Sequence, residues 1–502
     1  MGNTRRKILV TLANRLVGGS AVLAAFARPT GAATTDAAVD HLERVLDPVD
    51  FGAKGDGVTD DTQALLKLAA FRAALRIDGR GRTYVVSQPI VFSRQVDLKI
   101  RLKAHGTFPQ AGNMLVISGD RSVVDLDVDG NTRSLVGVKV SGNDVRGRVR
   151  GENIYGSDVR VGGGMQSVLF VTGNNCRIDV HGENLLAARA TNPSVPRVLS
   201  TGAVTGCIFG SVTGNNVTAL WVNQAGEVAV KFLRAYKCGN NGIYDIAAGG
   251  KIKVGTAIFE DDLGLNLQTV VSESDVSIES LIVREVWGYA AVDKGGNLKI
   301  GNYSIQNRSS RKAHQVAVAR EKATTCEIEI GEVTGTYMLT AASNGGGVFQ
   351  FYDGNISLLK VGRIKLELLY GVGSTVELFR QTSGHGACEI DDLALTLIDT
   401  TGRLTSSTVL SWNFPNYDRP SYLNRCSLVS SSATLRVRNV GQPNMSTMDV
   451  GLLRSDGSIV SSPTRVGQRS PELQSRDRHT GSVDYRKDGR TDGESGTSDD
   501  NK

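Results

Sequence analysis

The chain has 502 residues, a formal charge of +6, a 40% hydrophobic and 6% aromatic content, 58 glycines and only 11 prolines. That composition suits a long core of many short strands and tight turns rather than large helices. Arg5, Arg6, Lys7, Arg15 and Arg28 supply five of the six net positive charges, so the remainder lacks the basic footprint of a nucleic-acid binder.

Residues 1–33 have the form of an export peptide. Thr4-Arg5-Arg6-Lys7-Ile8-Leu9 resembles a twin-arginine motif, and an apolar run follows from Leu16 to Ala27. That run is shorter than the ~20 residues a membrane-spanning helix needs, so it fits a signal sequence that leaves no membrane anchor after processing. Small-residue cleavage sites stand at Ala25-Phe26-Ala27 and Gly31-Ala32-Ala33. The second predicts a mature start near Thr34 and a secreted or periplasmic location.

A polar linker, 34–47, leads to Asp50-Phe51-Gly52-Ala53-Lys54-Gly55-Asp56-Gly57-Val58-Thr59-Asp60-Asp61-Thr62-Gln63. Asp60 and Gln63 have capping-box spacing. Leu65, Leu68, Ala69, Phe71, Ala73 and Leu75 predict an amphipathic helix ending near Arg76–Gly79. Gly81 to Ile90 then reads as a β-branched strand entering a turn. Phe51 to Gln63 followed by Gly81 to Ile90 resembles the opening of the rhamnogalacturonase/epimerase-like pectate lyase superfamily. The resemblance implies a helix-capped right-handed β-helix. It leaves the reaction open, because that superfamily includes lyases, hydrolases, epimerases and phage tailspikes.

From residue 96 to about 440 one pattern recurs. Val96-Asp97-Leu98-Lys99-Ile100, Val123 to Val128, Cys176 to Val180, Glu227 to Val230, Lys251 to Val254, Asp275 to Ile278 and Asn297 to Ile300 alternate apolar and polar residues. Starts at 227, 251, 275 and 297 give a period of 22 to 24. A repeat this short cannot bury its apolar face alone and must stack on its neighbours. The expected fold is therefore all-β, a single-stranded right-handed parallel β-helix over 48–440 with an N-terminal capping helix. Residues 441–463 would end the solenoid, and 464–502, nearly devoid of apolar side chains, would form a disordered tail. Gly173-Asn174-Asn175, Gly214-Asn215-Asn216 and Gly239-Asn240-Asn241 supply turns. Cys176, Cys207, Cys238, Cys326, Cys388 and Cys426 form no metal-ligand spacing, and the 31-residue gaps between the first three predict stacked, buried, free thiols.

Stacking 218–222, 241–245, 263–267 and 287–291 places Leu220, Ile243, Leu265 and Tyr289 inward. It places Trp221, Tyr244, Asn266 and Ala290 outward, an aromatic and amide row suited to sugar rings; the competing reading is plain surface filling. Beside the row lie Glu260, Asp261 and Asp262. Together with Asn241 they resemble the two acidic motifs of the polygalacturonase hydrolases, whose carboxylates act as general acid and base. Here Asn241 stands where that family has an aspartate. Gly384-His385-Gly386 and Arg363-Ile364-Lys365 match later motifs of the family in letters, but in the wrong order. The competing reading of 260–262 is a solvated acidic turn. No cofactor is expected, although Glu260, Asp261 and Asp262 could bind calcium through oxygen ligands. A lyase would draw its base from cations such as Lys231, Lys251 or Lys253.

The expected function is an exported, polysaccharide-active protein that cleaves an acidic glycan as a hydrolase or lyase. The alternative is a non-catalytic carbohydrate-binding or tailspike-like structural β-helix. The expected partner is a polysaccharide and no nucleic acid, with a homotrimer implied by the tailspike resemblance.

Overall fold

The computed structural model describes residues 45–463 apart from stretches between strands, among them 72–74, 157–165, 188–194, 262–266, 340–348, 401–408 and 414–421. The expected export peptide, most of the linker and the tail 464–502 lie outside the described residues. The chain divides into Met1–His41 and Leu42–Lys502, and the second unit contains every described strand.

That unit is the right-handed parallel β-helix the periodicity predicts, its described residues almost wholly β with one α-helix near the start. Alternation explains each coil. In Val96–Ala104 the residues Val96, Leu98, Ile100, Leu102 and Ala104 are buried, while Asp97, Lys99, Arg101 and Lys103 point away from the core. Long strands pair with long strands one coil away: Val123–Arg133, Arg146–Gly156, Arg177–Ala187 and Cys207–Asn223. Short strands stack likewise: Val136–Val140, Ser167–Val171 and Arg197–Thr201. The predicted starts Glu227, Lys251, Asp275 and Asn297 are direct partners in register.

Two columns of left-handed residues turn the coils. Asn153, Asn184, Asn216, Lys237, Asp261 and Glu285 adopt φ of 55°, 52°, 53°, 53°, 47° and 49° inside or at the end of the long strands. Asparagine and aspartate tolerate this region best among side-chain-bearing residues. At a second corner Asp144 and Asn175 have φ of 58° each. There Asn143 Oδ1 accepts from Asn174 N at 2.9 Å and Asn174 Oδ1 from Thr205 N at 2.9 Å, so each side chain satisfies the backbone of the next coil.

The helix covers Thr62–Ala69 and ends before the predicted limit. Leu75 begins a strand, Leu75–Val86, whose Ile77 is buried between Leu46 and Leu98 in the register. Pairing on both sides outweighs the helical period there. Asp60, not a reciprocal capping box, meets the helix start, its carboxylate accepting from Thr62 N and Thr62 Oγ1. The buried Asp61 carboxylate ties down the glycine loop by accepting from Lys54 N at 2.5 Å and Gly55 N at 3.1 Å.

Cys176, Cys207, Cys238 and Cys426 are free and buried. Cys176 and Cys207 are neighbours on adjacent coils, and Gly173 O lies 3.5 Å and 3.3 Å from their sulfurs. Cys238 falls in another column, paired with Val217, so the second 31-residue gap is not a stack. At the far end Asn444–Leu453 adds to Tyr422–Ser430 in parallel, and Ile459–Pro463 returns antiparallel along it.

Candidate functional site

The outward side chains of the first full coils obey a simple charge rule. The coil at 97–103 presents Lys99, Arg101 and Lys103. The next presents Asp125, Asp127 and Asp129, and the next Arg146, Arg148 and Arg150. The register stacks them sign against sign. Lys99 lies over Asp125 and Asp125 over Arg148; Arg101 lies over Asp127 and Asp127 over Arg150. Arg148 grips Asp125 through Nε at 2.5 Å and Nη2 at 3.0 Å, and Arg101 reaches Asp127 at 3.4 Å. Coils about 4.8 Å apart reward such alternation and penalise like charges directly opposite.

Two columns break the rule, the Arg146–Arg177 pair and, over more coils, a column of carboxylates. Lys103 is followed by Asp129, Glu152 and Glu183 on three successive coils, then Asn215. The two outer carboxylates are held. Asp129 Oδ1 accepts from Asn131 N at 2.8 Å and from Asn153 Nδ2 at 3.0 Å, and Glu183 Oε1 receives Asn215 Nδ2 at 3.5 Å. Glu152 makes no hydrogen bond or ion pair among the described residues. Although the residue is exposed, partial desolvation first, then the charges of Asp129 and Glu183, push its carboxyl above the usual range. Burial also lowers the imidazole of His181, whose Nδ1 lies 2.8 Å from Thr213 Oγ1.

These residues line a groove of about 790 Å³ on the N-terminal coils. Its walls include Asp56 and Gly57 of the cap loop, Arg82, Arg101, Lys103 and Arg150, together with the three carboxylates and His181. The arrangement offers a free carboxyl of raised pKa between two oriented carboxylates, beside cations. That is the equipment for acid–base work on a hydroxyl-rich or anionic ligand. Among the described residues no group of three or more His, Cys, Asp or Glu is placed to hold a metal ion; Asp262, one of the three carboxylates of the calcium expectation, lies outside them.

The residues singled out from sequence are dispersed differently. Trp221 is fully buried, and its Nε1 donates to Thr201 Oγ1 at 3.1 Å. The register pairs Trp221 with Ile243 and Val222 with Tyr244. The sequence alignment was therefore one residue out on that coil, which exchanges its two faces. The expected stacking surface loses its tryptophan, and Tyr244 remains as a half-buried residue of the outer row. Asn241 pairs with Ala219 and Gln268 in the backbone register. Asp262 and Asn266 lie outside the described residues, as does Gly384-His385-Gly386.

Asp261 sits in the left-handed turn column, and its N–H donates to Arg284 O at 3.0 Å. Its place in the sequence thus has a backbone reason. Glu260 is clasped between Arg234 at 2.6 Å and Arg284 at 2.6 Å. Burial works against its charge, but the hydrogen bonds from Arg284 and Arg234 prevail and hold its carboxyl below the usual range. A carboxylate kept ionised in this way does not serve as a general acid. Arg363 has a similar structural post, 3.8 Å from Glu332 and 3.4 Å from Asp392. Lys251 and Lys253 line a separate shallow groove with Lys299 and Glu329.

Glu260→Gln is expected to lower stability while leaving any turnover intact. Because the folded pKa is depressed, the wild-type advantage is present above the unfolded pKa and fades as pH falls through the folded value. Melting temperatures of both proteins from pH 7 to pH 3 check this: the gap between them closes toward acid.

The acidic column did have a signature. Arg150-Gly151-Glu152-Asn153 and His181-Gly182-Glu183-Asn184 repeat at a spacing of 31. Each outer letter has a structural cause. A Cβ on Gly151 or Gly182 would lie 2.4 Å from Val168 Cγ1 or 2.6 Å from Val198 Cγ2, and each asparagine makes the left-handed turn. The glutamates between them owe nothing to either demand and face outward.

Comparison with known proteins touches the start of this unit. Residues 53–96 match the family model described as the N terminal extension of bacteriophage endosialidase. No curated protein matches the chain. The matched residues run from the cap loop to the first residue of Val96–Ala104, and they include Asp56, Gly57, Arg82 and Thr83 at one end of the groove.

Proposed function

We propose that the protein binds an acidic polysaccharide in the groove of its N-terminal coils and hydrolyses it with paired carboxylates. The unbroken column Asp129–Glu152–Glu183, beside columns at Lys99 and Arg101 where charge alternates, carries this reading. The parallel β-helix is a fold that many carbohydrate-binding and carbohydrate-processing proteins use. Glu152, protonated more readily than an ordinary glutamate, donates to the leaving oxygen. Asp129, fixed by Asn131 and Asn153, attacks the anomeric carbon from the adjacent coil as the bond to the leaving oxygen breaks, and water, giving its proton to the Glu152 carboxylate, then displaces Asp129 to release the sugar. This two-step route leaves the product with the anomeric configuration of the substrate. Export by the twin-arginine-like segment belongs to the same proposal and would bring the protein to such a polymer.

The match of residues 53–96 to a segment of a phage protein favours a second reading, a tailspike-like β-helix that binds glycan without cutting it. A panel of pectin, rhamnogalacturonan, alginate and bacterial exopolysaccharides separates the two. New reducing ends without the unsaturated-uronate absorbance band are expected for hydrolysis. Appearance of that band would mean a lyase, and binding without either would establish the second reading.

A further inference from the structure

We infer that the same face carries a second binding element, a cationic strip at Arg146 and Arg177, which holds anionic groups of a polymer crossing the sheet along the strands. The inference rests on the glycan reading above and adds where the rest of the chain lies and what it must carry.

Pairing isolates these two arginines. On this face Arg76 has Asp97 at 3.3 Å, Arg101 has Asp127, and Arg148 has Asp125. Arg146 and Arg177 are exposed and lie directly opposite each other on adjacent coils. The column continues with Val123 on one side and Ile208 on the other, so no carboxylate is stacked against either. Val123 is itself 46% exposed. The nearby Asp179 is engaged by Ser211 N at 2.8 Å. Neither arginine has a hydrogen bond or ion pair from its side chain among the described residues. Two guanidiniums one coil apart, ~4.8 Å, repel unless an anion bridges them.

Direction follows from position. Arg150, stacked beside Asp127 but with no side-chain hydrogen bond or ion pair among the described residues, lies four residues along the strand from Arg146, or ~13 Å, and Glu152 two residues further. A polymer laid along the strands meets the Arg146–Arg177 pair, then Arg150, then the carboxylate column. A polymer laid along the solenoid axis at Arg146 would leave the cations after two coils and meet Val123 or Ile208. The planar guanidinium fork suits carboxylate and sulfate alike. The ligand class is therefore a polyanionic glycan long enough to span groove and strip together.

The test compares the double variant Arg146→Ala/Arg177→Ala with a control of equal charge change, Lys251→Ala/Lys253→Ala. Both are made in a Glu152→Gln background so that ligand is not consumed. Probes are polygalacturonate and dextran sulfate, with carboxyl-reduced polygalacturonate and dextran as neutral counterparts. The arginine variant is expected to bind the long anionic polymers about tenfold more weakly, the loss of charge-assisted hydrogen bonds. Its melting temperature should hold or rise, because a repulsive pair is gone, whereas a merely structural pair would leave a less stable protein. Trigalacturonate, too short to span both elements, should bind the variant and its parent equally.

Equal losses in the lysine control, no loss in the arginine variant, or parent binding as tight to the neutral counterparts would each overturn the strip. Failure of the parent to bind any anionic polymer would do so as well. Turnover of a neutral glycan by the Glu152-containing protein, unchanged by Arg146→Ala/Arg177→Ala, would overturn the strip and leave the groove chemistry standing.

Discussion

Glu152→Gln is expected to reduce glycan cleavage by roughly 10²–10⁴-fold while leaving binding largely intact, the range for removing a positioned general acid. The amide keeps the shape of the side chain but has no acidic proton to give. Stability should move the other way. In the wild type the folded pKa of Glu152 is raised, so its penalty is absent below the unfolded pKa and grows as pH rises through the folded value. The variant escapes that penalty. It should melt at a higher temperature than wild type at pH 7, and the two should converge near pH 4. A residue that costs stability and is needed for turnover marks a site; loss of both together would mark Glu152 as structural. Initial rates on the cleaved polymer and paired thermal melts across pH decide between them.

Trp221→Ala should be the most damaging single change in the solenoid core, at about 3–5 kcal/mol. Trp221 ranks first by volume among the fully buried side chains, so truncation leaves a large cavity between coils. It also removes the donor to Thr201 Oγ1, although that oxygen keeps company with Asn223 Oδ1 at 2.7 Å. Denaturant unfolding monitored by circular dichroism should show the loss. Any folded fraction should bind glycan as the wild type does, because the groove lies on the coils bearing Glu152 and Glu183. A weakening of glycan binding without loss of stability would restore Trp221 to the surface.

The contrast between these two residues shows what the sequence made legible. Coil period and inward faces came through wherever apolar and polar residues alternated strictly, as from Val96 to Lys103, because burial on one face fixes the register. The same logic failed at Thr218-Ala219-Leu220-Trp221-Val222. Five consecutive residues there are buried, so no alternation survives to separate the faces. The acidic cluster at 260–262 stands out in the sequence because three charges adjoin. In space Glu260 belongs to an arginine clasp and Asp261 to a turn. The carboxylates that do converge are 23 and 31 residues apart in sequence, and only the stacking of coils brings them into one column. Their visible trace was the repeated Gly-Glu-Asn, in which glycine and asparagine serve the backbone and the glutamate is left without a structural task.

The alternating charge of the outer face gives the solenoid a form of parity. Excising a single coil, 119–141, would bring Lys99 onto Arg148 and Arg101 onto Arg150, cation upon cation in both central columns. Excising two, 119–172, would instead set Lys99 against Asp179 and Arg101 against His181, while Lys103 and Asp97 meet an opposite charge after either excision. The apolar interior is indifferent to the difference, since one layer of valine and leucine stacks on another in either case. Along this stretch the surface therefore counts coils where the core does not, and it admits loss or duplication more readily in pairs than singly.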